Sequence, residues 1–276
     1  MPLLRRTVLY VPADNPRALD KARTLEADAV IIDLEDAVAP ERKEAAREAV
    51  RGLAGFPREV ALRVNAPGTP WHEDDLAAAA GFGAVVLPKV RGAADVAALA
   101  GHGFCIWPMM ETAAGILAAR EIADAAAQTG PAALILGTND LAAELGITLT
   151  AGRETVSLAL QTAVLAAKAA GVDAIDGVFN DTADTDGLTR EARAGRALGM
   201  SGKSVIHPAQ IAPVNAAFSP QPDEIADARR VIAAVADAHA AGRSVAVLGG
   251  RMVEALHAEA ARALLARADA IEARTT

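Results

Sequence analysis

Short apolar runs alternate with alanine-rich amphipathic segments along most of this chain of 276 residues. The eight runs lie at 7–13, 29–36, 59–65, 84–90, 104–111, 133–140, 174–181 and 204–208. Strands of a parallel sheet are covered on both faces, so they are expected to be continuously apolar, as these are. Eight strand–helix units in about 210 residues predict an α/β protein with a (β/α)8 barrel, the TIM barrel. A doubly wound open sheet fits the same periodicity, but the absence of GxGxxG after the first run disfavours a dinucleotide fold.

The segments between the runs predict helices. They lie at 16–27, 40–54, 93–100, 113–128, 153–171 and 188–199. Pro16 and Pro40 suit first helical positions, and Gly171 and Gly199 suit the position just after a helix. We expect a barrel core over 1–220. The remainder, 221–276, is expected to hold the last barrel helix at 222–242 and a C-terminal helical extension at 243–273, which docks on a neighbouring subunit.

Composition excludes several kinds of partner. Aromatic residues make up only 3% of the chain, too few for stacking platforms, and the net charge of −8 disfavours nucleic acids and anionic membranes. No apolar run is long enough to span a bilayer, and the N-terminus shows no signal peptide. The single cysteine, Cys105, is typical of a reducing compartment. We therefore expect a soluble cytoplasmic protein.

Polar residues follow the apolar runs at their carboxyl ends. They are Asp33, Glu35, Asp36, Arg63, Asn65, Lys89, Glu111, Thr138, Asn139, Asp140, Asn180, Asp181 and His207. Any one of them taken alone fits a solvated loop start. In a barrel, however, these strand ends converge on one face, where TIM-barrel enzymes carry their active sites. Seven such ends in register therefore favour a shared site.

The residue types at these ends favour a hard divalent cation, Mg²⁺ or Mn²⁺. Glu111 and Asp140 are the natural ligands, because Mg²⁺ is commonly held by one or two carboxylates plus water and substrate. Backbone N–H groups around 138–141 suit a substrate carboxylate, since helix starts attract anions. Arg63 suits a carboxylate or a developing oxyanion, or else an ion pair with Glu35 or Asp36. Lys89 beside carboxylates should have a raised pKa, which disfavours a Schiff base.

Motifs along the chain carry a family resemblance. They read RRTVLYVPADNP, ADAVIIDLEDAVAPERKEAAR, LRVNAPGTPW, VVLPKV, METAAGIL, GTNDLAAELG, DTDGL and GKSVIHPAQI. In this order they resemble the citrate lyase beta-subunit-like branch of the HpcH/HpaI aldolase superfamily, over roughly residues 5–270. The resemblance implies a (β/α)8 barrel, a homo-oligomer (trimer or hexamer) and divalent-metal-dependent carbon–carbon lyase chemistry on acyl-CoA thioesters.

Residue by residue, the resemblance implies metal binding by Glu111 and Asp140 and a catalytic role for Arg63. Glu35, Asp36, Thr138, Asn139 and Lys89 take supporting or substrate-binding positions. The C-terminal aspartate that relatives place in a neighbouring subunit's site as a proton donor or acceptor falls on Glu254, which is one methylene longer.

These assignments lead to a Mg²⁺-dependent retro-Claisen cleavage. The substrate is a 3-hydroxyacyl-CoA of the citryl-, malyl- or citramalyl-CoA type, and the products are a 2-oxo acid and acetyl-CoA. In this hypothesis Arg63 offsets the charge of the enolate and Glu254 protonates it. Two alternatives stay open: a CoA-independent aldolase on a 4-hydroxy-2-oxo acid, and a non-catalytic barrel subunit of a larger complex.

Overall fold

The eight apolar runs form parallel strands that close into a barrel in a computed structural model, which describes residues 3–51, 53 and 56–275. The strands pair in chain order, and the eighth pairs with the first. They are β1 Thr7–Pro12, β2 Ala29–Asp33, β3 Glu59–Arg63, β4 Ala84–Leu87, β5 Cys105–Met110, β6 Ala133–Leu136, β7 Asp173–Asp176 and β8 Gly202–Val205. The prediction of a (β/α)8 barrel is confirmed, and closure through β8 and β1 excludes the open sheet.

Burial explains why the runs are apolar throughout rather than alternating. Every residue of β2 and of β4 is buried, and Val30, Ile31 and Ile32 are wholly inaccessible to solvent. One face of each strand points into the barrel and the other is covered by helices, so neither face tolerates unpaired polar side chains.

Helices follow the strands around the barrel. They are α1 Pro16–Ala22, α2 Lys43–Arg51, α3 His72–Ala78, α4 Ala93–Ala97, α5 Ala113–Leu117, α6 Ala119–Ala127, α7 Thr138–Leu145, α8 Ser157–Ala170, α9 Thr185–Leu198 and α10 Ile211–Phe218. Pro16 begins α1, and Pro40 begins a single 3₁₀ turn before α2. Gly171 and Gly199 end α8 and α9 with positive φ angles of 71° and 99°, which glycine adopts without strain.

Two assignments from the sequence are wrong at this level. The helix after β8 that packs on β8 and β1 is α10, not the segment 222–242. Thr138, Asn139 and Asp140 do not extend β6 but form the first turn of α7. Both errors concern short helices, whose 8 residues give too few turns for the apolar period to show.

The chain divides after Phe218. A second unit comprises the described residues of Met1–Leu4 and Ser219–Thr276. It contains α11 Pro222–Ala240, an antiparallel hairpin of β9 Val245–Leu248 and β10 Arg251–Glu254, and α12 Ala255–Thr275. Its core includes Val231, Val235, Ala246 and Val253. Among the described helices of the whole chain, none combines the length and the apolar character needed to cross a membrane.

Candidate active site

A cavity of about 370 Å³ opens at the carboxyl ends of the barrel strands. Its walls come from β1, β2, β3, β5 and β6 and from the segments that follow β2, β6, β7 and β8. The lining residues are Tyr10, Pro12, Asp33, Asp36, Ala37, Arg63, Met109, Leu136, Gly137, Thr138, Asn139, Asp140, Val178, Asn180 and Ile206. The convergence of strand-end polar residues expected from the sequence is therefore present in the barrel unit.

Arg63 forms one side of this cavity and is surrounded by carboxylates. Its Nε and Nη2 donate to the two carboxylate oxygens of Asp33 at 2.7 and 2.6 Å. Its Nη1 lies 2.8 Å from Glu35 Oε2 and 3.4 Å from Asp36 Oδ2. The sequence suggested Glu35 or Asp36 as the ion-pair partner, but the two-pronged contact is with Asp33.

Strand register explains this pairing. Asp33 is the last residue of β2 and Arg63 the last of β3, and the two are direct neighbours in the parallel ladder. The Asp33 carboxylate also accepts the backbone N–H groups of Glu35 at 2.8 Å and Ala37 at 3.3 Å. Asp33 therefore holds both the guanidinium and the turn after β2. The sequence alone did not pair Asp33 with Arg63; the register of the two consecutive strands was the signal that could have done so.

The electrostatics of this cluster are dominated by burial. Burial raises the pKa of Glu35 to about 8, and the charge of Arg63 opposes the rise while Asp36, Glu111 and Asp33 add to it. For Arg63, burial lowers the pKa but Asp33 outweighs it, so the pKa stays well above its ordinary value. The guanidinium is thus permanently charged, and Glu35 takes up a proton at a higher pH than an ordinary glutamate does.

Lys43 supports the same turn and was missed in the sequence. Its buried Nζ donates to the carbonyl oxygens of Leu34 and Glu35 and to Oδ1 of Asn65, each at 2.7 Å. Burial lowers the pKa of Lys43, against the charges of Asp33 and Asp75. These contacts tie the end of β2 to the end of β3. No local signal marks Lys43, because it occupies an ordinary position on an amphipathic helix.

Glu111, Lys89 and Asp140 form a second cluster. Glu111 follows β5 and is 1% exposed; its Oε1 accepts the backbone N–H of Lys89 at 2.7 Å, while its Oε2 has no hydrogen-bond partner. Lys89 Nζ lies 3.6 Å from Glu111 Oε1 and donates to Asp140 Oδ1. Lys89 has a left-handed φ of 55°, uncommon outside glycine. The backbone is therefore bent so that both the amide and the ammonium of one residue face these carboxylates.

Protonation in this cluster follows from burial and neighbouring charge. Burial raises the pKa of Glu111, partly offset by the Lys89 amide and ammonium. For Lys89, burial lowers the pKa, but Asp140 and Glu111 outweigh it and the pKa is raised overall. A protonated amine is a poor nucleophile, in agreement with the expectation against a Schiff base.

The Glu111–Asp140 pair fits a divalent cation. Glu111 follows β5, and Asp140 lies in the first turn of α7, which follows the neighbouring strand β6. The ammonium of Lys89 already lies between the two carboxylates, and Glu111 Oε2 has no hydrogen-bond partner. Gly137 leaves the room that this arrangement needs, because a Cβ there would lie 2.4 Å from Glu111 Oε2. No group of three or more His, Cys, Asp or Glu suited to a metal occurs within residues 3–51, 53 and 56–275. Mg²⁺, which completes its shell with water and substrate, is the cation this donor set suits.

The start of α7 forms the opposite wall. Gly137 caps the helix without a side chain, so no side-chain oxygen occupies its first backbone N–H groups. Thr138 is buried, and Asn139 lies at the mouth, where its amide and that of Asn180 exchange hydrogen bonds of 3.1 and 2.9 Å. The positive end of this helix therefore faces the cavity and suits an anionic ligand.

Two further residues follow or end strands, His207 after β8 and Glu254 in β10. His207 is exposed, and its Nδ1 accepts the backbone N–H of Ala209, so it caps the turn after β8. Glu254 is the last residue of β10 in the C-terminal unit, and its backbone N–H donates to His257 Nδ1 at 3.2 Å.

Similarity to known proteins agrees with this geometry. The family model described as "HpcH/HpaI aldolase/citrate lyase" matches residues 6–208. A protein of Cereibacter sphaeroides named "(3S)-malyl-CoA thioesterase" is 45% identical, with 97% of this chain and 96% of the relative covered. The "Citrate lyase subunit beta" of Leuconostoc mesenteroides is 32% identical, with 91% and 89% covered. The crystal structure of CitE from Mycobacterium tuberculosis with magnesium, acetoacetate and coenzyme A superposes with a TM-score of 0.85 at 37% identity, covering 96% of this chain and 98% of that one.

Proposed function

The chain belongs to the HpcH/HpaI aldolase/citrate lyase family, in its citrate lyase beta-subunit-like branch, and we propose that it is a Mg²⁺-dependent carbon–carbon lyase. Its substrate would be a 3-hydroxyacyl-CoA thioester of the citryl-, malyl- or citramalyl-CoA type, cleaved to a 2-oxo acid and acetyl-CoA. The observation that carries the proposal is the carboxylate pair Glu111 and Asp140, which shares one barrel mouth with the buried cation Arg63. The CitE complex adds support, since that protein binds magnesium, an oxo acid and coenzyme A.

Each residue of the cavity has a role in this proposal. Held by Glu111 and Asp140, Mg²⁺ would supply Lewis acidity to the hydroxyl and carboxylate oxygens of the substrate. The N–H groups at the start of α7, with Thr138 and Asn139, bind the carboxylate of the substrate. Arg63 places fixed positive charge beside the thioester enolate that cleavage leaves. Glu35, Asp36 and Lys89 orient Arg63 and the carboxylate pair.

The last proton transfer is assigned to Glu254 of a neighbouring subunit, which would pass to the enolate carbon the proton that the substrate hydroxyl gives up on cleavage, so that acetyl-CoA is formed. This assignment requires a homo-oligomer, a trimer or hexamer, in which the C-terminal unit of one subunit completes the site of the next. A cytoplasmic location is part of the same proposal, supported by the CoA substrate and by the single cysteine.

Hydrolysis of the thioester is a second candidate, and one comparison favours it. The relatives named "(3S)-malyl-CoA thioesterase" are 44–45% identical to this chain, against 32% for the citrate lyase subunit. In that reaction water attacks the thioester carbonyl, the C–S bond breaks, and the products are the hydroxy acid and free CoA. The same cavity would bind the same class of substrate, so only the products separate the two reactions.

The test is a screen of purified protein against malyl-, citryl- and citramalyl-CoA and a free 4-hydroxy-2-oxo acid, with Mg²⁺ and with EDTA. Acetyl-CoA plus a 2-oxo acid identifies the lyase, free CoA plus a hydroxy acid the hydrolase, and turnover without CoA the aldolase. Glu111→Ala and Asp140→Ala should each remove the Mg²⁺-dependent turnover. Glu144→Ala is the matched control, because Glu144 is an exposed carboxylate on the same helix as Asp140. Retained activity in both Glu111→Ala and Asp140→Ala would overturn the metal assignment.

A further inference from the structure

Tyr10 is the one tyrosine of the chain, and its side chain lines the cavity from β1. Among the described residues, the hydrogen-bond contact of its hydroxyl is the thioether sulfur of Met109, 4.0 Å away. A thioether is a weak acceptor, and 4.0 Å is at the limit for sulfur. Tyrosine hydroxyls inside proteins usually have a full partner. The Tyr10 O–H is therefore available to donate a hydrogen bond to a ligand that binds in the cavity.

The surroundings of Tyr10 indicate which kind of group enters. The Arg63 guanidinium lies against the ring of Tyr10, 5.1 Å from its centroid. Its nitrogens already contact the carboxylates of Asp33, Glu35 and Asp36. An anionic oxygen that arrives beside Arg63 is attracted by the cation, but most of the guanidinium N–H groups are already engaged, so a further donor nearby strengthens its binding. The Tyr10 hydroxyl can serve as this donor, because Tyr10 lines the cavity next to Arg63.

Protonation favours the same role. Burial raises the pKa of Tyr10, and the carboxylates of Asp33 and Glu111 add to the rise against the opposing charge of Arg63. The phenol is therefore neutral and keeps its proton throughout the pH range in which enzymes work. A neutral O–H can donate to an anion without adding a negative charge to a site that already holds several carboxylates.

We propose that the Tyr10 hydroxyl donates a hydrogen bond to an anionic oxygen of the oxo-acid part of the substrate, and that Tyr10 is a substrate-contacting residue that selects for that oxygen. The inference deepens the proposed function and rests on it in one respect, namely that the cavity binds a hydroxy or oxo acid. No bond is made or broken by Tyr10, so its contribution is to binding and orientation.

Because the chain has a single tyrosine, the contact can be observed directly. Protein labelled with ¹³C at the tyrosine Cζ gives one resonance, which we expect to move when oxaloacetate, glyoxylate or pyruvate is added with Mg²⁺. Calorimetry on the same samples should show metal-dependent binding, weakened about tenfold in Tyr10→Phe, the loss of one hydrogen bond of about 1.4 kcal/mol. The melting temperature should hardly change, since phenylalanine keeps the ring against Arg63.

Ser204→Ala is the matched control, because Ser204 is a buried hydroxyl without a hydrogen-bond partner that lies outside the cavity lining. It should leave ligand affinity unchanged. The inference is overturned if the wild type binds the oxo acid and the Cζ resonance stays in place, or if Tyr10→Phe binds as tightly as the wild type; the proposed function survives both results. Absence of metal-dependent binding to the wild type overturns the proposed function and this inference together. If Tyr10→Phe fails to fold, the labelled wild type still decides.

Discussion

At Lys89 the chain places its own cation between the carboxylates of Glu111 and Asp140. A divalent cation has to displace this ammonium before it can bind both carboxylates. Lys89→Met should therefore bind Mg²⁺ more tightly, by about three- to tenfold for a partly exposed contact. Calorimetric titration of the metal-free protein measures the change. Arg91→Met, which removes an exposed cation two residues along the chain, should leave the affinity as it is; equal affinity in both variants would contradict the displacement.

Glu35 links the stability of the barrel to pH. Its pKa is raised from 4.5 to about 8 in the folded protein, so between these values the folded chain holds a proton that the unfolded chain has released. Stability must then fall as pH rises through that window, by at most about 1.4 kcal/mol per pH unit. Glu35→Gln lacks the titrating group. Urea denaturation in EDTA from pH 5 to 9 should show the wild type losing stability relative to the variant up to about pH 8, whereas parallel curves would rule out the raised pKa.

At the scale of elements, the turn from β6 into α7 sets the position of Glu111. In Gly137→Ala the new Cβ would lie 2.4 Å from Glu111 Oε2 and 2.6 Å from Glu111 Cβ, so the glutamate has to move. We expect Mg²⁺ affinity to fall at least tenfold and stability to fall by roughly 1–3 kcal/mol, as for other overpacked sites. Gly83→Ala is the control, because a Cβ at Gly83 meets nothing within 4 Å. Calorimetry and urea denaturation measure both effects, and unchanged metal binding in Gly137→Ala would show that Glu111 does not depend on this close approach.

The buried middle of each strand could be predicted from the sequence, and the ends could not. The runs at 29–36 and 133–140 were read as strands to their last polar residue, yet β2 ends at Asp33 and β6 at Leu136. One residue past those points the backbone still bonds to the neighbouring strand, from Leu34 N to Arg63 O and from Gly137 N to Met110 O. Beyond them, the N–H of Glu35 donates to the Asp33 side chain, and the chain after Gly137 turns into α7. The apolar pattern of the sequence does not show where this change occurs. Among the helices, α10 was not predicted. Its Pro213 is compatible with a helix, because a proline in the first turn removes no helical hydrogen bond.

The same limit applies to the site. The residue types at the strand ends predicted which side chains meet at the barrel mouth, because parallel strands bring their ends together. The residue types did not predict that Asp33 pairs with Arg63 through two hydrogen bonds, since this contact depends on the register of β2 against β3. Lys43 was invisible for a related reason: its three acceptors come from two different strand ends that only the folded barrel brings together.

At the scale of the whole molecule, the proposed role of Glu254 makes catalysis a property of the oligomer. If one subunit supplies Arg63 and the next supplies Glu254, then Arg63→Ala and Glu254→Ala subunits, each inactive alone, should restore activity when reassembled together. If the two variants mix at random in equal amounts, roughly a quarter of the sites contain both Arg63 and Glu254. The measurement is the rate of substrate cleavage after co-refolding.

A second mixture serves as its control. Arg63 and Glu111 both belong to the barrel unit Arg5–Phe218, so Arg63→Ala mixed with Glu111→Ala should regain nothing. If the first mixture is no more active than the two variants added together, Glu254 lies outside the site or acts in its own subunit.

The β9–β10 hairpin has a consequence for how the protein behaves in concentrated solution. In the described chain the barrel is a closed ring, so the strands whose backbone can still accept a further strand are those of the hairpin. Val247 and Met252 pair across it and are 74% and 60% exposed, and Val245 adds a third apolar side chain. Natural proteins often protect such strands with charged side chains or proline; β9 has neither, and β10 has charges only at its two ends, Arg251 and Glu254. Aggregation of isolated subunits should therefore begin at this hairpin, and a lysine in place of Val247 is the substitution most suited to suppress it.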